Sequence, residues 1–352
     1  MRIWVAVLTV MLVAGCTRPA QPDAPEVPPS DPGRTPLEQL EPAKDPRHKT
    51  GPSTATVAVP DIAPISDQAT PRLPTTVTDA QDTEVTVTSA DRILAFDLHG
   101  TLGATVFGLG LGGRMVGRDA STGFPAAAML PLITTNGHQL STEAILGLRP
   151  SVVITDITLG PSDVVPRLRK SGIPVVVTDS RRAVNNVGTL IQQVADALGV
   201  PAEGERLAQR TTVEIEKAKI AAHRLASDSS LRIVFLYVRG ESGTYQMFGQ
   251  GTGADDLITA VGAVDAASEA GLQGAGPIDP EALSKAAPDV ILVMTKGLQS
   301  VGGVEGLVGV PGVAQTPAGQ KRRIVDMNDH QVLSFGPLTS SVIDGLARAL
   351  YT

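Results

Sequence analysis

Cysteine is almost absent from the sequence: Cys16 is the only one in 352 residues, so the chain cannot form an internal disulfide. Aromatic residues make up 3% of the chain, which argues against an aromatic-lined surface for sugars or nucleic acids. No basic run occurs and the formal net charge is -7, so nucleic acid is disfavoured as a partner. A local anion site stays compatible with this balance, because net charge does not describe a single cleft.

The N-terminus has the pattern of a targeting segment. A short positive start, Met1-Arg2, is followed by IWVAVLTVMLVAG, an apolar run too short to span a bilayer comfortably, and then by Cys16. Small residues followed by cysteine are typical of a bacterial lipoprotein signal. The alternative, an ordinary cleaved signal, does not explain why the sole cysteine stands there. We therefore predict a signal peptide over 1–15 and a lipid anchor on Cys16 at the extracytoplasmic face of the membrane.

The segment that follows is rich in proline. Residues 17–90 hold 14 of the 27 prolines and show no lasting periodicity, so 16–90 is predicted to be an extended or disordered tether. Within it, residues 75–88 alternate polar and apolar side chains, which predicts a strand or hairpin at the edge of the folded domain.

From residue 91 onward, short Val/Ile-rich strands alternate with helical patterns, which predicts parallel α/β units. The pattern occurs twice. RILAFD, beginning at Arg92, is similar to RIVFLY, beginning at Arg232, and the distances from these arginines to Glu143 and Glu281 are 51 and 49 positions. Two tandem units imply two lobes with a cleft between them.

A single helix is predicted to join the lobes. Residues 201–225 contain no proline or glycine beyond the first turn and are rich in Ala, Glu, Lys, Leu and Arg, which indicates about 22–24 helical residues, or about 35 Å. The predicted fold is α/β, with two Rossmann-like lobes (91–200 and 227–352), one long bridging helix (201–226) and a ligand cleft between the lobes. A single stiff connection predicts limited opening and closing.

This order of signal, tether, lobe, helix and lobe resembles the ABC-importer substrate-binding proteins for iron-siderophores, cobalamin and haem, over about 92–352. The stretches GTLGATVFGLGLGGRMVGRD, NGHQLSTEAILGLRPSVVITD, FLYVRG and LVGVPGVAQTPAG are similar to the haem-binding lipoproteins of actinobacterial haem importers. The resemblance implies haem b (hemin, with ferric iron) as the transported ligand, and an ABC permease dimer with its ATPase as the partner. Surface haem receptors are candidate donors.

Two residues from opposite lobes are the predicted iron ligands. Ligands bind beyond the carboxyl ends of strands in open α/β sheets, and Tyr237 ends the strand RIVFLY. His138 lies in a loop just before a helix, at the rim of the same cleft. The resemblance implies that His138 and Tyr237 hold the iron from opposite faces and that Arg239 stabilises the tyrosinate. Ferric iron favours an anionic oxygen, whereas a free phenol ionises only near pH 10, so a nearby cation helps.

Other residues compete for these roles. His99, at the repeat position of Arg239, and Met294, at the end of the strand VILVM, are alternative ligands. Taken alone, His138, Tyr237 and Arg239 each also fit a plain structural role. Looser expectations concern the rest of the cleft: an apolar wall at Tyr245, propionate contacts at Arg181 and Arg182, and a structural or exposed role for His330.

Glu143 and Glu281 stand in the first turns of helices at matched repeat positions. Acidic residues there complement the helix dipole, which is a sufficient structural explanation. In the resembling class, one surface glutamate from each lobe pairs with arginines of the permease dimer. Docking of Glu143 and Glu281 to a two-fold partner is therefore predicted, and both roles are compatible.

An enzyme is not predicted, because the sequence has no GxxxxGK[ST] or GxSxG motif and its sole cysteine belongs to the signal. The glycine cluster GLGLGG lies in the first helix and its turn, not after a strand. Two other ligands of the same class, a ferric siderophore and cobalamin, are disfavoured by the scarcity of aromatic residues and basic clusters. A haem relay lipoprotein without a permease is a further alternative.

Overall fold

The computed structural model describes residues 33–67, 69–227 and 229–352. The predicted signal peptide and Cys16 lie outside these residues. The described chain forms two α/β lobes joined by one long helix, which confirms the predicted fold class. Within the described residues, no helix combines the length and apolar character needed to cross a membrane.

Residues 33–90 are folded onto both lobes, so the prediction of a free tether is wrong for this part of the chain. Strand β1 (Ser53–Ala55) pairs in parallel with a strand of the C-terminal lobe, Ile324–Met327. Strands β2 (Thr75–Thr78) and β3 (Glu84–Val87) form an antiparallel hairpin, as their alternation predicted.

The tether prediction failed because it weighed proline content and ignored isolated apolar anchors. Leu37, Val57, Val85 and Val87 are each at most 8% exposed and belong to the largest apolar cluster of the protein. Their spacing is too irregular to produce a periodic signal. Each proline-flanked stretch is instead fixed by the one or two side chains that it buries.

The N-terminal lobe contains a parallel sheet flanked by helices. Its elements are β4 (Ile93–Phe96), α1 (Thr101–Gly108), β5 (Thr134–Thr135), β6 (Gln139–Leu140), α2 (Thr142–Gly147), β7 (Val152–Thr155), α3 (Val164–Lys170), β8 (Val175–Val177) and α4 (Val187–Ala197). The sheet has the order β4-β7-β8, and every residue of these three strands is buried, as expected for continuous apolar strands covered on both faces.

Helix α5 (Pro201–Ala226) joins the lobes and matches the predicted helix closely. It has 26 residues and is therefore about 39 Å long. Pro201 occupies its first turn, where a proline needs no amide hydrogen. Leu207 and Ile215 are buried in an apolar cluster that continues into both lobes, so the helix is part of the core and not a free linker.

The C-terminal lobe contains the larger sheet. Its elements are β9 (Arg232–Arg239), β10 (Thr244–Phe248), α6 (Ala254–Ala260), β11 (Val264–Asp265), α7 (Ala266–Glu269), β12 (Ala275–Pro277), α8 (Pro280–Ala286), β13 (Val290–Met294), α9 (Thr295–Ser300), α10 (Gly303–Val308), α11 (Pro317–Lys321), β14 (Ile324–Met327) and α12 (Thr339–Tyr351). The strands of the sheet have the order β1-β14-β13-β9-β10-β12, with β11 paired to β9. Strands β9, β13 and β14 are mutually parallel, so their carboxyl ends meet at one edge.

Candidate ligand-binding site

A cavity of about 420 Å³ opens between the lobes at the carboxyl ends of the strands. Its volume lies in the range of small-molecule sites. All five candidate ligand and support residues named from the sequence line it. The N-terminal lobe contributes Leu98, His99, Ala120, Ser121, Gly137 and His138, and the C-terminal lobe contributes Tyr237, Arg239, Phe248, Met294, Lys296, Asp329, His330 and Leu333.

His138 stands at the tip of a short hairpin formed by β5 and β6. Thr135 pairs with Gln139, which leaves a three-residue loop, and both Asn136 (φ 45°) and Gly137 (φ 84°) adopt left-handed backbone conformations. Asparagine and glycine are the residues that tolerate this turn. The His138 side chain is exposed, yet the surrounding cleft walls and then the positive charge of Arg239 lower its pKa. The imidazole is therefore neutral at neutral pH, the form that binds a metal.

Tyr237 lines the same cavity from the C-terminal lobe, near the end of β9, and its ring makes two close contacts. On one side it stacks on Phe248 of β10, with ring centroids 5.8 Å apart and an interplanar angle of 13°. The Arg239 guanidinium carbon lies 4.6 Å from the Tyr237 ring centroid. Because side chains alternate along a strand, Tyr237 and Arg239 share one face while Val238 points into the core. These two contacts hold the ring and place a cation beside the phenol.

The Arg239 guanidinium is itself held by neighbouring strands. Its Nη2 donates to Asp329 Oδ1 at 2.8 Å and lies 3.3 Å from Met294 Sδ, and its Nη1 donates to the Val238 carbonyl at 2.9 Å. The other carboxylate oxygen of Asp329 accepts from the Lys296 backbone amide at 2.8 Å. Asp329 was not identified from the sequence, although it lies only two residues after the end of β14, so applying the strand-end rule to that strand would have found it.

His99 also lines the cavity, as its repeat position suggested. Burial lowers the pKa of His99 to about 4. The Asp97 carboxylate acts to raise this pKa, whereas Arg182 and His138 act to lower it. Its Nδ1 is 4.0 Å from Asp97 Oδ2, beyond hydrogen-bond distance, and has no hydrogen-bond partner among the described residues. His99 is therefore a neutral imidazole with a free nitrogen, which keeps it a candidate ligand. Met294, in contrast, already contacts the Arg239 guanidinium.

Arg182 does not face the cavity, so the propionate role expected for it is wrong. Its side chain is buried beneath the site, where Nη2 pairs with Asp97 Oδ2 at 3.0 Å and also with Asp156. Burial beside Asp97 raises the pKa of Asp156 to about 6 against the opposing effect of Arg182. Arg181 is exposed and pairs with Asp179, also outside the cavity lining.

The expected wall residue Tyr245 is also misplaced. On β10, Tyr245 faces away from the cavity. It packs on the opposite side of the sheet, against the apolar cluster that contains Val238. Phe248, an odd number of positions later, lies on the cavity face. The two residues are three positions apart, and because side chains alternate faces along a strand, they lie on opposite faces of the sheet. The aromatic wall beside Tyr237 is therefore Phe248.

His330 lines the cavity and packs between the lobes, so it has the structural role that was one of its two expected roles. It follows Asp329 in the loop after β14 and reaches across to the N-terminal lobe, where it packs on Gly123. A Cβ atom at Gly123 would come within 2.4 Å of the His330 ring, so only glycine permits the contact. Burial, with the charges of Lys296 and Arg118 outweighing Asp329, lowers the pKa of His330 to about 4.

This lowered pKa predicts an acid-sensitive fold. Between the unfolded pKa near 6.5 and the folded value near 4, the unfolded chain binds a proton at His330 and the native chain does not. The contribution of His330 to the free energy of unfolding is therefore lost as pH falls through that window, by about 2 kcal/mol between pH 7 and pH 5. Urea unfolding at both pH values is expected to show a smaller decrease for His330→Gln. Equal decreases in the two proteins would contradict the prediction.

Glu143 and Glu281 occupy the first turns of α2 and α8, and both are exposed. The cap of α2 is the Ser141 hydroxyl and the cap of α8 is the Asp279 carboxylate, so neither glutamate is needed as a capping side chain. Both carboxylates therefore remain available at the surface, one on each lobe.

Comparison with known proteins gives consistent matches. A family model described as periplasmic binding protein matches residues 98–330. The solved structure of heme binding protein HmuT is 40% identical, covers 88% of this chain and 100% of its own, and has a TM-score of 0.85. Periplasmic heme-binding protein RhuT from Roseiflexus sp. RS-1 is 39% identical, with coverages of 75% and 98% and a TM-score of 0.69. A search of curated proteins gave no match.

Three further HmuT structures are of alanine variants, at one histidine, one tyrosine and one arginine. In HmuT the tyrosine follows the histidine by 99 positions and the arginine follows the tyrosine by 2. His138, Tyr237 and Arg239 have the same two spacings in this chain.

Proposed function

The chain belongs to the periplasmic binding protein family, and from that membership we propose that it captures hemin between its lobes and delivers it to an ABC permease. Members of this family are substrate-binding transport proteins, not enzymes. The observation that carries the proposal is that His138 from one lobe and Tyr237 from the other line the same cavity. A flat iron porphyrin between the lobes would present one axial position to each.

The chemistry of the two residues suits ferric iron. Tyrosinate supplies a hard anionic oxygen, and the Arg239 cation 4.6 Å from the ring centroid favours that ionised form. His138 supplies a neutral imidazole. The equal spacing of the residues replaced in HmuT supports the same assignment. His99 is the alternative ligand on the N-terminal lobe and Met294 on the C-terminal lobe.

Haem is favoured over the other ligands of the class. An iron-siderophore is already fully coordinated and needs cationic patches. Among the residues that the structure describes, the charged side chains lining the cavity are Arg239, Lys296 and Asp329, and Arg239 and Asp329 are paired. The matched solved structures RhuT and BhuT are also named as heme-binding proteins. The proposed ligand is therefore haem b in its ferric form.

Delivery and anchoring complete the proposal. We place the lipid anchor on Cys16, which precedes the residues that the structure describes. The anchor would hold the domain at the extracytoplasmic face of the membrane. Glu143 and Glu281 are proposed to dock on the permease dimer, since both are exposed, one on each lobe. Surface haem receptors are proposed donors.

Hemin titration of the chain without residues 1–32 tests the proposal. We expect one equivalent to bind with a visible charge-transfer band from tyrosinate to ferric iron. His138→Ala is expected to shift this spectrum toward a five-coordinate form, because the second axial ligand is lost. His99→Ala, a histidine on the same lobe and in the same cavity, is the matched control. A spectral shift only in His99→Ala would move the ligand assignment to His99, and no hemin binding by the wild type would refute the function.

A further inference from the structure

Porphyrin recognition requires more than axial ligands, because haem carries two propionates on one edge. Burying a carboxylate in a cavity without a cation is unfavourable. Of the three charged residues that line the cavity, Arg239 and Asp329 neutralise each other in an ion pair of 2.8 Å. The third, Lys296, forms no ion pair with any acidic group in the described parts of the chain. The cavity therefore has one uncompensated positive charge.

Several other polar groups around the cavity are either engaged in hydrogen bonds or uncharged. The Ser121 hydroxyl donates to the Leu98 carbonyl at 2.6 Å. Arg118 is buried, and its Nη1 donates to the carbonyls of Asp119 and Thr122. His330 is neutral at physiological pH. By elimination, Lys296 is the cationic donor left to an anionic ligand.

The backbone of Lys296 is fixed where such a donor is useful. Lys296 is the second residue of α9, two positions after Met294 at the end of β13. Its amide donates to Asp329 Oδ2, and Oδ1 of the same carboxylate holds Arg239 over the Tyr237 ring. One carboxylate thus sets the position of the lysine relative to the proposed iron ligand. The Lys296 side chain itself is exposed at the cavity.

We propose that the Lys296 ammonium binds one haem propionate, so that the propionate edge of the porphyrin lies at the start of α9. The inference rests on the proposed haem-binding function. It assigns a carboxylate subsite to the cavity and a direction to the bound ligand. Because the lysine is exposed, the charge pair is screened, and its effect on affinity is expected to be about 5-fold.

Comparing the affinities for hemin and for its dimethyl ester tests this contact. Esterification removes the propionate charges and leaves the iron and its ligands unchanged. The wild type is expected to bind hemin about 5-fold more tightly than the ester. Lys296→Gln is expected to remove that preference, and Lys296→Glu to reverse it by repulsion. Lys285→Gln, which changes an exposed lysine of α8 outside the cavity, is the matched control and should keep the wild-type preference.

The outcomes separate this inference from the proposed function. A tyrosinate band with both porphyrins in every variant, together with a preference lost only at Lys296, supports the subsite. The same band with an unchanged preference in Lys296→Gln overturns the subsite and leaves the haem function standing. No hemin binding by the wild type overturns both.

Discussion

Replacing Tyr237 by phenylalanine is expected to abolish the tyrosinate charge-transfer band and to weaken hemin binding by about 100-fold, equivalent to about 2.8 kcal/mol. The substitution removes one oxygen and preserves the ring that stacks on Phe248 and faces Arg239. The loss of affinity and of the band therefore reports the iron–oxygen bond and not the packing of the ring against Phe248 and Arg239. Absorbance titration with hemin at neutral pH measures both quantities.

The other two tyrosines make this test specific. Tyr245 packs on the opposite face of the sheet, and burial raises the pKa of Tyr351, which keeps it a phenol. Tyr245→Phe is the matched control and should bind hemin as the wild type does. A tyrosinate band that survives Tyr237→Phe would show that the ligand is not Tyr237, and the proposed clamp would be wrong.

Deleting residues 33–90 is expected to prevent stable folding of the remaining chain. This segment buries five large apolar side chains, Leu37, Val57, Ile62, Val85 and Val87, each at most 8% exposed. At about 2 kcal/mol for each side chain, the loss is about 10 kcal/mol, comparable with the whole stability of a typical domain. The deletion also leaves the edge of β14 unpaired, since β1 covers it. Size-exclusion chromatography and circular dichroism are expected to show aggregation or loss of a cooperative transition.

Two comparisons guard this prediction. Removing residues 1–32 alone should leave the melting temperature unchanged, because the deletion leaves every described residue in place. The point variant Leu37→Ala tests the same packing in a chain that folds, with an expected loss of about 2–4 kcal/mol in the free energy of unfolding. A free tether would show no effect, so unchanged urea unfolding of Leu37→Ala would contradict the structure.

Several features of the site were predictable because they depend on local pattern. The end of RIVFLY placed Tyr237 at a strand terminus, and alternation placed Arg239 on the same face. The Asn-Gly pair before His138 indicated a turn at the cleft rim. The matched repeat placed His99 near the same rim. Each inference used a few consecutive residues and the rule that ligands bind at strand ends.

The supporting contacts were not predictable in the same way. Asp329 holds Arg239 from 90 positions away, and His330 packs on Gly123 of the other lobe. Such pairs depend on which strands become neighbours and on how closely the lobes approach. The aromatic wall is Phe248, three positions after the expected Tyr245, and its place beside Tyr237 depends in the same way on how β10 pairs with β9.

By itself, the sequence determined the α/β class, the two-lobed repeat, the bridging helix, the hairpin at 75–88 and the candidate ligands at strand ends. The physical reason is that hydrophobic periodicity and turn residues depend on a few consecutive positions, so they can be recognised in a single sequence. Only the tertiary structure decided that residues 33–90 join the core and that Arg182 is buried in ion pairs. It also decided that Lys296 has no acidic partner within the described ranges. Those outcomes depend on burial and on partners distant in sequence, which are set when the lobes pack together.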